Sequence, residues 1–142
     1  MAANRLFVDT NILVYITDPN SLERARAANA LFAAQSRGMS LVISMQVLRE
    51  YLAVATRNKS NVQLLDVFKN VRLFYRKLEV VQDNRRVFAY LLELLENTPT
   101  SGRQIYDANI VATMQAHGVG SLLTHNTADF KRFSHLIEVL DI

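Results

Sequence analysis

Four acidic residues, Asp9, Glu50, Asp107 and Asp129, stand where they could act together. Asp9 closes the apolar run Leu6-Phe7-Val8, which reads as a buried strand. Asp129 follows a second such run, Ser121 to Thr124, by a few residues. Glu50 and Asp107 fall inside helical patterns. The i−3, i+3 and i+4 neighbours of Glu50 are Val47, Ala53 and Val54, and the i+3, i+4 and i+7 neighbours of Asp107 are Ile110, Val111 and Met114. An acid on an apolar stripe faces the domain and needs a partner there. Taken singly, each acid has an ordinary explanation. Asp9 or Asp107 can cap a helix, and Glu50 or Asp107 can pair with a cation such as Arg49 or Arg103. Taken together they imply a site. Two carboxylates about 4 Å apart repel by roughly 4 kcal/mol at an effective dielectric near 20, and neutral neighbours do not offset that. A divalent cation does, and ligands that are all oxygen suit Mg²⁺ or Mn²⁺.

Such a site suits phosphodiester hydrolysis, which needs an activated water, shielding of phosphate charge and stabilisation of the leaving oxygen. Asp9 is expected to anchor or bridge the metal, with Asp107 and Asp129 as direct or water-mediated ligands. Glu50 is expected to bind metal or to orient the attacking water. Other chemistries are less well supplied. The chain has no Cys, so thiol nucleophiles, disulfides and thiolate zinc sites are excluded. His117, His125 and His135 lack the H-x-x-x-H spacing of a zinc helix, and no Ser or Lys stands out as a nucleophile.

The elements that must position the acids alternate. Strands are expected at Leu6–Val8, Leu41–Ile43, Leu78–Val81, Ser121–Thr124 and Leu136–Leu140. Between them lie helices: one through Tyr15 capped by Thr10 or Asn11, one reaching Ser36 after an Asn20/Glu23 capping box, and one starting at Ser44. Further helices cover about Val62–Tyr75, Arg86–Leu95 and Ile105–Ala116, and a short turn covers Asp129–Arg132. Asn97 to Gly102 is the clearest loop. This alternation predicts an α/β fold: about five parallel strands between helices in three layers, as one domain over residues 1–142.

The acids and their flanks also resemble a known family. Val8-Asp9-Thr10-Asn11-Ile12-Leu13-Val14-Tyr15, the segment from Ser44 to Arg49-Glu50, Tyr106-Asp107-Ala108-Asn109-Ile110-Val111-Ala112 and Leu123-Thr124-His125-Asn126-Thr127-Ala128-Asp129-Phe130 are similar, in order and spacing, to PIN domains. The chain resembles especially the VapC-type toxins of bacterial and archaeal toxin–antitoxin pairs, and the resemblance spans essentially the whole chain. It implies a Mg²⁺- or Mn²⁺-dependent endoribonuclease that leaves a 3′-hydroxyl and a 5′-phosphate. It places Asp9, Glu50, Asp107 and Asp129 at the metal-binding positions. Thr10, Asn11, Thr124 and Asn126 look like supporting hydroxyl and amide groups, although helix and turn capping would equally explain Asn126. VapC-like proteins typically form homodimers and bind an antitoxin, so both partners are expected. Arg103, close in sequence to Asp107, is a candidate for holding a substrate phosphate; a plain surface charge is the alternative.

Net charge is +3 and the pI about 9.4, a weak pointer to a polyanion. The distribution says more. Eight of the 16 cations fall between Arg57 and Arg86, opposed there by Asp66, Glu79 and Asp83. A solvated helical face explains them, as does a flank that holds an RNA backbone beside a negative site. The start of the chain lacks a secretory h-region and no apolar run reaches membrane-spanning length, so a cytoplasmic protein without membrane contact is expected. The competing functional reading is a non-catalytic PIN-fold RNA-binding or scaffold protein. A haloacid-dehalogenase-like phosphatase would need Asp two positions after Asp9, where Asn11 stands. A phospho-receiver would need a Lys after a late strand. DNA as substrate stays open.

Overall fold

The computed structural model describes residues 4–142. Five strands, β1 (Arg5–Val8), β2 (Ser40–Ser44), β3 (Glu79–Val81), β4 (Ser121–Leu123) and β5 (Glu138–Leu140), form one sheet in the order β3-β2-β1-β4-β5. Every pairing is parallel. The central strand is the most apolar: Leu6, Phe7 and Val8 are almost wholly buried, as a strand covered on both faces requires.

The helices are α1 (Thr10–Thr17), α2 (Arg24–Ser36), α3 (Met45–Ala55), α4 (Asn61–Lys77), α5 (Arg85–Asn97), α6 (Gln104–Ala116) and α7 (Thr127–Phe130), the last followed by a 3-10 turn, Lys131–Phe133. From β1 the chain steps outward to β2 and β3; it then crosses back to β4 and steps the other way to β5. Right-handed crossovers put helices on opposite faces when the direction of travel reverses. Accordingly α1 packs on α2 and α3, and α3 on α4, while α5 and α6 pack on each other. The reversal occurs beside β1, so the crevice at the carboxyl ends of β1 and β4 is the place where an open α/β sheet binds ligands.

Local chemistry explains the boundaries. Ser44 caps α3 by accepting from Val47 N at 3.3 Å. Ser60 and Gln63 form a reciprocal capping box on α4. Gly118 ends α6 at φ +69°, a conformation that glycine adopts without strain. The Tyr51 hydroxyl bonds Thr17 Oγ1 at 2.8 Å and accepts from Asn70 Nδ2 at 3.3 Å, which ties α1, α3 and α4 together one residue from Glu50.

Three local expectations differ from the structure. The cap of α1 is Asp9, not Thr10 or Asn11. The Asn20/Glu23 box does not form: Asn20 N donates to Asp18 Oδ1, Glu23 accepts from Ser21 Oγ, and α2 starts only at Arg24. The turn expected at Asp129–Arg132 divides into α7 and the 3-10 turn, because Thr127 starts helical geometry earlier.

Candidate metal centre

Asp9 leaves β1 and enters α1. Its Oδ1 accepts from Thr10 N at 2.8 Å and its Oδ2 from Thr124 Oγ1 at 2.8 Å. Thr124, just past β4, is fully buried, and its hydroxyl also accepts from Asn126 N at 3.1 Å and Asn11 Nδ2 at 3.2 Å. Asn11 Oδ1 in turn accepts from His125 N at 3.3 Å. One hydroxyl therefore locks the ends of β1 and β4 together and fixes the Asp9 carboxylate in orientation. The Asn126 side chain is exposed and makes no capping bond, but it lines the same depression as Asp9.

That depression is an open cavity of about 330 Å³. Glu50 enters it from α3 and Asp107 from the first turn of α6, both half-buried, together with Thr10, Asn11 and Asn126. Asp129 stands exposed on α7 beside it; its charge acts on Asp9 and Asp107. Three of the acids thus line one depression from three separate segments, with Asp129 beside it on a fourth. Arg103 occupies the exposed N-cap position of α6 and makes no ion pair among the described residues.

Electrostatics record the crowding. Burial pushes the Glu50 carboxyl up to about 7; the Asp9 charge adds to this, the Gln46 side chain opposes it, and Asp107 adds again. Asp107 is pushed up to about 6, by burial first and then by Asp129 and Asp9, against a smaller opposing effect of Arg132. Asp9 is also raised by burial, although its bonds from Thr124 and Thr10 pull the other way. Arg132 offsets part of this charge at Asp107, and no site acid is in an ion pair among the described residues. The ion pairs among the described residues are Arg5–Glu79 and His125–Asp141, and neither involves a site acid. The pairings of Glu50 with Arg49 and of Asp107 with Arg103 do not form.

The donor set fits a hard divalent cation. All candidate donors are oxygens, and two buried ones, Glu50 Oε1 and Thr10 Oγ1, have no hydrogen-bond partner. Among the described residues, no three Asp, Glu or His groups are close enough to enclose one ion. An ion here would be held by one or two carboxylates at a time, which is the habit of Mg²⁺, an ion that keeps several waters.

Three further side chains around the site are not singled out by sequence reasoning. Gln46, buried one turn before Glu50, donates to the Tyr106 carbonyl at 3.0 Å and accepts from Asn109 Nδ2 at 2.7 Å. Asn109 thereby links α6 to α3. Arg132, the cation that acts on Asp107, bonds Gln104 Oε1 at 2.8 Å. Of the three, Gln46 alone has a signal in the sequence, as an amide one helical turn from an acid.

The PIN domain family model matches residues 6–136 of the chain. The chain belongs to the PIN-domain family. Solved structures similar to this PIN domain include a VapBC complex from Rickettsia felis bound to a promoter DNA fragment, at 21% identity and TM-score 0.68 over 97% of this chain and 98% of that one. A VapBC structure from nontypeable Haemophilus influenzae shares 18% identity at TM-score 0.67, over 96% and 97% of the two chains. A Mycobacterium tuberculosis VapC, described as a toxin that cleaves the sarcin–ricin loop, shares 19% identity at TM-score 0.63, over 82% and 86%. At these identities the similarity is one of fold. None of the curated proteins matches the chain in sequence. Among the described residues, no helix is long and apolar enough to cross a membrane.

Proposed function

We propose that this PIN domain is an endoribonuclease that uses Mg²⁺ or Mn²⁺ to hydrolyse phosphodiester bonds in RNA, and that it is the cytoplasmic toxin of a VapBC-type pair. One observation carries the catalytic reading: carboxyls from three segments line one depression with Asp129 beside it, none of the four is in an ion pair among the described residues, and a buried Glu50 oxygen there is unpartnered. Such crowding has a reason when a divalent ion binds. When bound, that ion would acidify a water and offset charge on the phosphoryl oxygens.

The chain's own groups do the rest. Thr124 and the Thr10 amide hold Asp9 in one orientation as the anchor. Asp107 and Asp129 add negative charge from the α6 and α7 side. Glu50 Oε1 is a free acceptor that can orient an attacking water. Asn11 braces Thr124. Arg103, beside Asp107 in sequence and exposed, is a point of contact for a substrate phosphate. The VapBC and VapC names among structures of the same fold support the toxin role. An antitoxin and a second copy of the chain are the proposed protein partners. Supporting this, Val62, Leu65 and Phe68 recur at three-residue spacing on α4 and stand exposed.

The test is cleavage of a generic RNA by the purified chain with Mg²⁺ or Mn²⁺, repeated in EDTA and with Asp9→Asn and Asp107→Asn. Cleavage with metal and none in the other arms is expected. Cleavage that persists in EDTA or in both variants refutes the reading. RNA binding without cleavage under any metal would favour the scaffold alternative.

A further inference from the structure

A second cavity, of about 410 Å³, adjoins the acid depression and shares Glu50 as a wall. Leu91 and Ile105 line it with apolar surface, Tyr106 stands at it 63% exposed, and Arg49 and Asp83 complete its rim. Its floor is braced. Gln46 donates to the Tyr106 carbonyl, and Asn109 donates both to Gln46 and, at 3.1 Å, to Asp83. The first turn of α6 is therefore fixed against α3 and against the segment between β3 and α5.

We propose that this cavity receives one unpaired base of the RNA strand, stacked on Tyr106; the inference rests on the ribonuclease reading above. Three features select that occupant. An exposed aromatic ring above aliphatic walls offers a face on which any base can stack. Glu50 and Asp83 disfavour a phosphate inside the cavity, whereas a base is neutral. The shared Glu50 wall puts the cavity next to the place where the scissile phosphodiester would lie, so its occupant belongs to the same strand. Arg49 at the rim is placed to meet the adjoining phosphate. Recognition of single-stranded RNA through splayed bases is the general habit of RNA-binding proteins.

The chain has no Trp, so Tyr106→Trp places a single reporter at the cavity. Titration with a single-stranded RNA oligomer should quench its emission, and an abasic oligomer of equal length and charge should not. By fluorescence anisotropy, Tyr106→Ala should bind the normal oligomer about 10-fold more weakly or worse, with Tyr106→Phe close to wild type and abasic binding equal in all three. Equal quenching by both oligomers, or unchanged affinity in Tyr106→Ala, overturns the proposal. So does a shift of Tyr106→Ala to a smaller species in sedimentation with RNA affinity retained, which would make the ring a contact between copies. Cleavage by wild type with Mn²⁺ is scored separately. If wild type cuts and Tyr106→Ala binds normally, only the base site fails; if base-dependent quenching occurs and nothing is ever cut, only the nuclease reading fails.

Discussion

Replacing Glu50 by Gln removes a charge while keeping the shape of the side chain, and the structure sets the size and pH window of the effect. In the folded chain this carboxyl titrates at about 7, against an ordinary value of 4.5. The folded state therefore holds its proton longer than the unfolded state does. The contribution of this carboxyl to metal-free stability is fully present below about pH 4.5 and is lost as pH rises through about 7. That gap corresponds to about 3 kcal/mol, at roughly 1.4 kcal/mol per tenfold change in proton affinity. The carboxyl is only half-buried, and screening by water cuts the effect to about 1–2 kcal/mol. Glu50→Gln should thus raise the metal-free melting temperature at pH 8 by about 3–7 °C and change it little at pH 4.5. Calorimetry in EDTA at the two pH values reads this directly. Asp107, with its own window between 3.8 and about 6, is common to both proteins and largely drops out of the comparison. A variant that melts lower at pH 8, or a difference equal at both pH values, would show that Glu50 is held by attractive partners, and the argument for a metal site would go with it.

Other outcomes follow from the same geometry. Saturating Mg²⁺ at a hundred times its Kd should stabilise wild type by about 2.7 kcal/mol, with the gain largest near pH 8 and fading near pH 5, as read by thermal melts; a gain independent of pH would place the ion elsewhere. Thr124→Val strands the Asn11 amide and the Asn126 N–H; it should cost about 1–3 kcal/mol by denaturant titration and about 10–100-fold in metal affinity by calorimetric titration. Asp9→Asn should lower the cleavage rate by more than that upper figure of about 100-fold, measured on a labelled RNA. RNA binding should weaken steeply with salt, and Arg72→Gln and Arg76→Gln, both exposed on α4, should each reduce the log–log salt slope by about one if that residue touches a phosphate.

What could be read from the sequence was whatever a period or a boundary encodes. Leu6-Phe7-Val8 and the alternation that follows specify a parallel α/β sheet, and the crossover rule then places the crevice at the end of β1. The apolar stripe around Asp107 is buried at Ile110, Val111 and Met114, whereas beside Glu50 only Val47 is buried and Ala53 and Val54 are exposed; both acids are half-buried and line the depression. Contacts that join distant segments left no such trace. Nothing in the run from Gln46 to Asn109 announces that the two amides meet across α3 and α6. Arg132 acts on Asp107 only because α7 and the 3-10 turn fold back towards α6. The Asn20/Glu23 pattern has the right letters for a cap, but Asp18 and Ser21 satisfy those groups first.

Asp9 serves two masters, since the carboxylate proposed to anchor the metal also starts α1 and receives the hydroxyl that closes β1 against β4. Glu50 and Asp107 carry no such duty, and their loss relieves strain instead of creating it. Descendants of this chain that shed nuclease activity while staying folded should therefore have lost Glu50 or Asp107 first, with Asp9 surviving as a relic of architecture long after the chemistry has gone.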